Sequence, residues 1–166
     1  MIYIEAAGVE EDEMYYFEID ENGTAYRQIS KHGDLHSVVS TAPDFVLCDQ
    51  EVIIEASDRI LTKEQFEIEW QQAIEPSLAA WKKTKKQYPP GRSVRGEIAM
   101  FYPQGAIIRV SDNAYAITDY NKLRERTPSQ YLYPGYCVDG IVADYDENNL
   151  WLVMEDCRMT EEALCK

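Results

Sequence analysis

Gly96-Glu97-Ile98-Ala99-Met100-Phe101-Tyr102-Pro103-Gln104-Gly105-Ala106-Ile107-Ile108-Arg109-Val110 and Gly135-Tyr136-Cys137-Val138-Asp139-Gly140-Ile141-Val142-Ala143-Asp144-Tyr145-Asp146 are the two blocks on which the reading of the fold turns. In the first, Ile98 and Met100 alternate with polar or small residues, as a half-buried strand requires. Pro103-Gln104-Gly105 is turn chemistry, and Gly105 can supply a positive φ. Alternation resumes over Ala106 to Val110, with Ile108 and Val110 on one face. Tyr115 to Thr118 predicts a third strand and Asn121 to Arg126 a helical turn or loop. Tyr136 to Ala143 predicts a fourth strand, Leu150 to Met154 a fifth, and Asp144 to Asn149 the turn between them. Five short strands at this spacing fit a small closed barrel, which removes exposed edges.

Together the two blocks resemble the RNA-binding domain type named after ribosomal protein S-one, an OB-fold of five strands. That family shows Gly-x-Val, six variable residues, then Gly-Ala-Phe-Val-x-Leu. It later shows Gly-x-x-Val-x-x-x-Val-x-x-x-Asp, and both spacings hold here without a gap. The resemblance implies an OB-fold over residues 91–157 with single-stranded RNA as its partner. Where the family stacks bases on aromatics or a third-strand histidine, this chain has Gln104, Ile107 and the neighbourhood of Thr118 and Asp119. Stacking is worth roughly 1–3 kcal/mol per base, so other rings must supply it. The candidates are Phe101, Tyr102, Tyr115 and Tyr120. Phosphates would meet Arg109, Lys122, Arg124, Arg126 and the basic segment holding Lys82, Lys83, Lys85 and Lys86.

Charge divides the chain. Residues 1–75 carry 18 acids and 4 bases, net −14, whereas residues 76–166 carry 12 of each. Residues 91–157 have 10 acids and 6 bases, so the expected barrel lacks the overall basic character usual in a nucleic-acid binder. The acidic half supplies the alternative function, a protein–protein interaction module such as a toxin-immunity protein facing a basic partner. Its candidate contacts are Glu10, Glu11, Asp12, Glu13, Glu64 and Glu67. The segment from Tyr16 to Ile29 also resembles small bacterial proteins, some of which serve as immunity proteins.

The first half reads as a separate α+β unit over residues 1–88. Met14 to Ile19 and Thr24 to Ile29 pair across Asp20-Glu21-Asn22-Gly23, with Asn-Gly at the tip. Leu35 to Thr41 and Phe45 to Cys48 are further strand candidates. Thr62 and Gln65 form a capping box, followed by Phe66, Trp70, Ala73 and Ile74 at helical spacing. Pro76 breaks or kinks the helix, which resumes over Ser77 to Gln87 with Trp81 and Tyr88 on one side. Pro89-Pro90-Gly91 makes a short linker to the barrel. The expected architecture is therefore an α+β N-terminal unit, an all-β five-stranded OB-fold barrel over 91–157, and a tail over 158–166.

Catalytic motifs are missing: the sequence has no phosphate loop, nucleophile elbow or Ser-x-x-Lys. His32 and His36 sit around Gly33 in a turn-like stretch without a third ligand nearby. Asp144, Asp146, Asn148 and Glu155 match positions one, three, five and twelve of a calcium loop, but Asn149 replaces its required glycine. The expectation is a non-enzymatic binding protein with no cofactor and no metal. No apolar run approaches the roughly 20 residues that span a bilayer, and the start reads as no secretion signal. A cytoplasmic location, no membrane partner, and reduced thiols at Cys48, Cys137, Cys157 and Cys165 are therefore expected.

Overall fold

The computed structural model describes residues 1–160. It is mostly β: ten strands against three α-helices among the described residues. Two compact units divide the chain, Met1–Leu78 and Ala79–Lys166.

The first unit is a five-stranded antiparallel sheet carrying one helix. Its strands are β1 (Ile2–Ala7), β2 (Glu13–Ile19), β3 (Ala25–His32), β4 (Val38–Val39) and β5 (Arg59–Leu61). They lie in the order β4-β3-β2-β1-β5. Alternation sorts their side chains onto two covered faces. On one face Ile4, Phe17, Ile19 and Ala25 pack with Leu47, Cys48 and Val52 of the following loop. The other face meets α1 (Lys63–Ile74), whose Phe66, Trp70 and Ile74 are buried. Tyr3 lies 5.3 Å from the Phe66 ring on that side. The expected capping box starts this helix: Thr62 Oγ1 accepts from Gln65 N at 3.2 Å, and Gln65 Oε1 accepts from Thr62 N at 2.9 Å.

The second unit is a closed barrel. Its strands are β6 (Ser93–Tyr102), β7 (Gly105–Ser111), β8 (Ala114–Thr118), β9 (Cys137–Asp146) and β10 (Trp151–Met159). The order β10-β8-β7-β6-β9 closes through the β9–β10 hairpin, and β10 runs parallel to β8. With α3 (Tyr120–Glu125) between β8 and β9, this arrangement is compatible with an OB-like fold. Ile98, Ile108, Ala116 and Leu152 are neighbours across successive strands and form one fully buried row. The motif glycines let the strands approach. A Cβ at Gly96 would stand 2.5 Å from the Arg109 carbonyl oxygen, and one at Gly105 2.3 Å from that of Thr118.

Several expectations are corrected. There is no distinct α+β unit over residues 1–88 ahead of the barrel. Ile2–Ala7 and Arg59–Leu61, unread as strands, complete an antiparallel sheet. The helical stretch after Thr62 is split at Pro76 by a 3₁₀ turn over Glu75–Ser77. Its second part, α2 (Leu78–Gln87), falls almost wholly in the barrel unit. There Trp81 Nε1 donates to Glu147 Oε2 at 2.7 Å, and Thr84 Oγ1 donates to the Asn113 carbonyl at 3.4 Å. Pro89-Pro90-Gly91 is tied to the barrel, because Gly91 N donates to the Val142 carbonyl at 2.7 Å. Residues 158 and 159 belong to β10, while the rest of the expected tail from 161 lies outside the described residues. The thiol expectation is corrected at Cys137, which is disulfide-bonded; Cys48 and Cys157 are free, and Cys165 lies outside the described residues. No helix among the described residues is long and apolar enough to cross a membrane.

Candidate functional site

The β6–β7 turn, the start of α3 and the segment before β9 meet at one end of the barrel. They enclose an open cleft of about 780 Å³ whose rings are Phe101, Tyr102, Tyr120 and Tyr133 and whose cation is Arg124. Local sequence places each of them. Phe101 is exposed near the end of β6, and Gly105 lets the chain turn back directly after Tyr102. Asp119 caps α3 by accepting from Lys122 N at 3.0 Å, so Tyr120 and Arg124 fall on neighbouring turns. Phe101 and Tyr120 meet edge to face, with centroids 5.5 Å apart. Rings exposed together in one patch, unlike rings scattered singly, mark an interaction surface. Here Phe101 is 38% exposed, Tyr120 37% and Tyr133 60%.

Tyr102 differs from its neighbours. Its ring lies edge-on to buried Trp151 at 6.0 Å, and burial pushes its phenol well above the usual tyrosine range. It lines the floor of the cleft and fills the barrel end, rather than offering a free face.

The twelve residues singled out in sequence do not form one surface. Phe101, Tyr102, Tyr120 and Arg124 share the cleft. Lys122 and Arg126 line a second cavity of about 340 Å³ beside α3, together with Glu155 and Asp156. Arg126 Nη1 lies 3.7 Å from Asp156 Oδ1 there. Arg109 and Tyr115 stand opposite each other on β7 and β8, and the Arg109 guanidinium is paired with Glu97. Lys82, Lys83 and Lys86 are exposed on α2. Lys85 instead donates to Glu147 Oε1 at 2.6 Å, with its ammonium 5.5 Å from the Trp81 ring centroid. The Lys85 ammonium, followed by the Trp81 N–H, holds the Glu147 carboxyl below the usual carboxylate range.

These groups occupy opposite ends of the barrel. The cleft adjoins Gly105 at the start of β7, whereas α2 reaches Asn113, just beyond its end at Ser111. The six residue steps of β7 span about 20 Å at a strand's rise per residue. Tyr133 is the cleft residue that sequence reading left out of the site. It belongs to no strand or helix, so no periodicity singled it out.

The acids proposed for a protein partner are likewise divided. Glu10, Glu11, Asp12 and Glu64 are exposed. Glu67 accepts from Arg27 Nη1 at 3.1 Å within its own unit, and Glu13 Oε2 accepts from Val9 N at 3.1 Å. Around the former calcium-loop candidate, Asp146 Oδ1 accepts from Asn148 N and Asn149 N, both at 3.0 Å, so it serves the hairpin turn. Among the described residues, no three His, Cys, Asp or Glu side chains converge where they could hold a metal ion. Compared with protein-family models and with curated proteins, the sequence matches none of either.

Proposed function

We propose that the barrel unit binds single-stranded RNA, with bases seated against Phe101, Tyr120 and Tyr133 and a phosphate on Arg124. The observation that carries this reading is the convergence of three exposed rings and an exposed guanidinium in one cleft at the β6–β7 turn. Stacking suits this chemistry because every base has a π-face, and each stacked base contributes roughly 1–3 kcal/mol. The turn between the first two strands of a small OB-like barrel is also a place where such folds bind oligonucleotides. The modest cation supply sets the scale, a dissociation constant on the order of 10⁻⁵ M.

A titration of the full chain with mixed-sequence single-stranded RNA at low salt tests the reading. Amide resonances around Phe101, Tyr120 and Arg124 should shift together. Tyr120→Ala should weaken binding about 5- to 150-fold, as loss of one stacking platform implies. RNA that leaves those resonances unmoved would end the proposal. A stoichiometric basic protein recovered on the exposed acids Glu10, Glu11 and Asp12, with no RNA bound, would favour the protein-partner alternative.

A further inference from the structure

We infer that the cleft takes a single nucleotide, such as a strand end, and that RNA does not run along the barrel wall toward the lysines of α2. This rests on the RNA reading of the same cleft and narrows it to a footprint. A strand laid along β7 and β8 needs cations at intervals to replace the counterions it sheds. The wall does not provide them. Arg109, midway along β7, is committed to Glu97. Arg95, on neighbouring β6, is held by Asp139, with Nε–Oδ1 at 2.7 Å and Nη2–Oδ2 at 3.0 Å. A phosphate approaching either site would meet a carboxylate already in place and would have to displace it. Lys82, Lys83 and Lys86 lie beyond this neutralised wall, at the far end of β7.

The cleft end is different. Arg124 is exposed in the cleft and has no carboxylate partner among the described residues, while Lys122, on the same helix, lines the neighbouring cavity with Glu155 and Asp156. All three exposed rings are also there. Base recognition and available positive charge therefore coincide at one end only. Asp119, which lines the same cleft, further limits how much negative charge it accepts. One base with one or two phosphate oxyanions satisfies both conditions.

The test compares adenosine 5′-monophosphate with a ten-nucleotide single-stranded RNA on the full chain, across a salt series. The two ligands should bind within about threefold of each other. The slope of log K against log salt should be near −0.7 for the RNA, the release expected for about one phosphate on a single strand. Arg124→Ala should weaken both ligands about tenfold, and the triple change of Lys82, Lys83 and Lys86 to Ala should leave both within twofold. RNA binding more than tenfold tighter than the mononucleotide, with a slope steeper than about −2 and a loss on removing the lysines, would overturn the inference. That outcome would leave the RNA reading standing. Binding of neither ligand would remove the RNA reading itself, and the inference with it.

Discussion

Helices α1 and α2 are each fastened by a cation lying over two aromatic rings and reaching carboxylates, but the two clamps differ in kind. In the first unit the cation is Arg27, whose guanidinium sits 4.8 Å from the Phe66 ring centroid and 5.1 Å from that of Trp70. It bonds to Glu18 on the neighbouring strand and to Glu67 on α1. Its side chain is only 6% exposed. Burial alone would lower its pKa, but the bonds to Glu67 and Glu18 outweigh that and hold it firmly charged. In the barrel unit the cation is Lys85, half-buried over Trp81 and Tyr145, with the single carboxylate Glu147 largely in water. A planar fork can serve two carboxylates at once, while an ammonium acts as a point charge. The first clamp therefore belongs to the core of its unit, and the second lies at the surface of the barrel unit, over the buried Trp81.

Removing the first clamp should have the largest effect. Arg27→Leu leaves Glu18 and Glu67 facing each other without a counter-charge, and breaking a buried pair in this way costs about 3–5 kcal/mol. Urea unfolding should show that loss, and Trp70 fluorescence should report the release of α1. A loss below about 1 kcal/mol would mean the two clamps are equivalent. Next comes a change in the barrel that touches no charge. Gly105→Ala drives a Cβ against the Thr118 carbonyl. Overpacking of this kind costs about 1–3 kcal/mol, read as an earlier thermal transition. No change there would mean the β7–β8 spacing is not set by that glycine.

Lys85→Met keeps the stem over the rings and removes only the charge. A pair this exposed contributes about 0–1 kcal/mol, and the effect should vanish at high salt. A loss as large as that of Arg27→Leu would erase the distinction between the clamps. The smallest expected effect is on pH dependence. Glu147 has a lowered folded pKa, so its contribution is complete above the ordinary value of 4.5 and is lost as pH falls through the lower folded value. Trp81 emission should change over that acid range, and Glu147→Gln should abolish the change. An unaltered acid limb in Glu147→Gln would assign it to other carboxylates.

The barrel was the more legible region. Its strands alternate over one buried row, and its two glycine blocks carry the close approaches directly in their spacing. Strands β1 and β5 were harder to read. Ile2–Ala7 is a short strand just ahead of the acidic run, and three residues at Arg59–Leu61 are too few for periodicity to register. The helix after Pro76 is legible along the chain, but the residues it packs against are not. Nothing local in Leu78–Gln87 says that Trp81 will find Glu147, 66 residues onward. For the site, residue type singled out Phe101, Tyr120 and Arg124. It could not tell that Arg109 would be neutralised by Glu97, because that pairing depends on strand register. Tyr133 sits in irregular chain whose position depends on the finished barrel.

The parallel contact between β8 and β10 also bears on how fast the barrel assembles and comes apart. The hairpin pairs β6–β7, β7–β8 and β9–β10 join strands close in the chain, but Ala116 meets Leu152, and Ile117 meets Val153, only after the intervening chain has been brought round, as the more distant β6–β9 pair also requires. Closing so long a loop costs entropy before the contact repays it, so this seam is expected to zip late and open early. Tyr120, Arg124 and Tyr133 all lie within that intervening chain. A ligand that pins them to Phe101 on β6 would tie down part of the loop. Its occupancy should then appear less as a change of shape than as a longer lifetime of the closed barrel, with slower amide exchange at Leu152 and Val153.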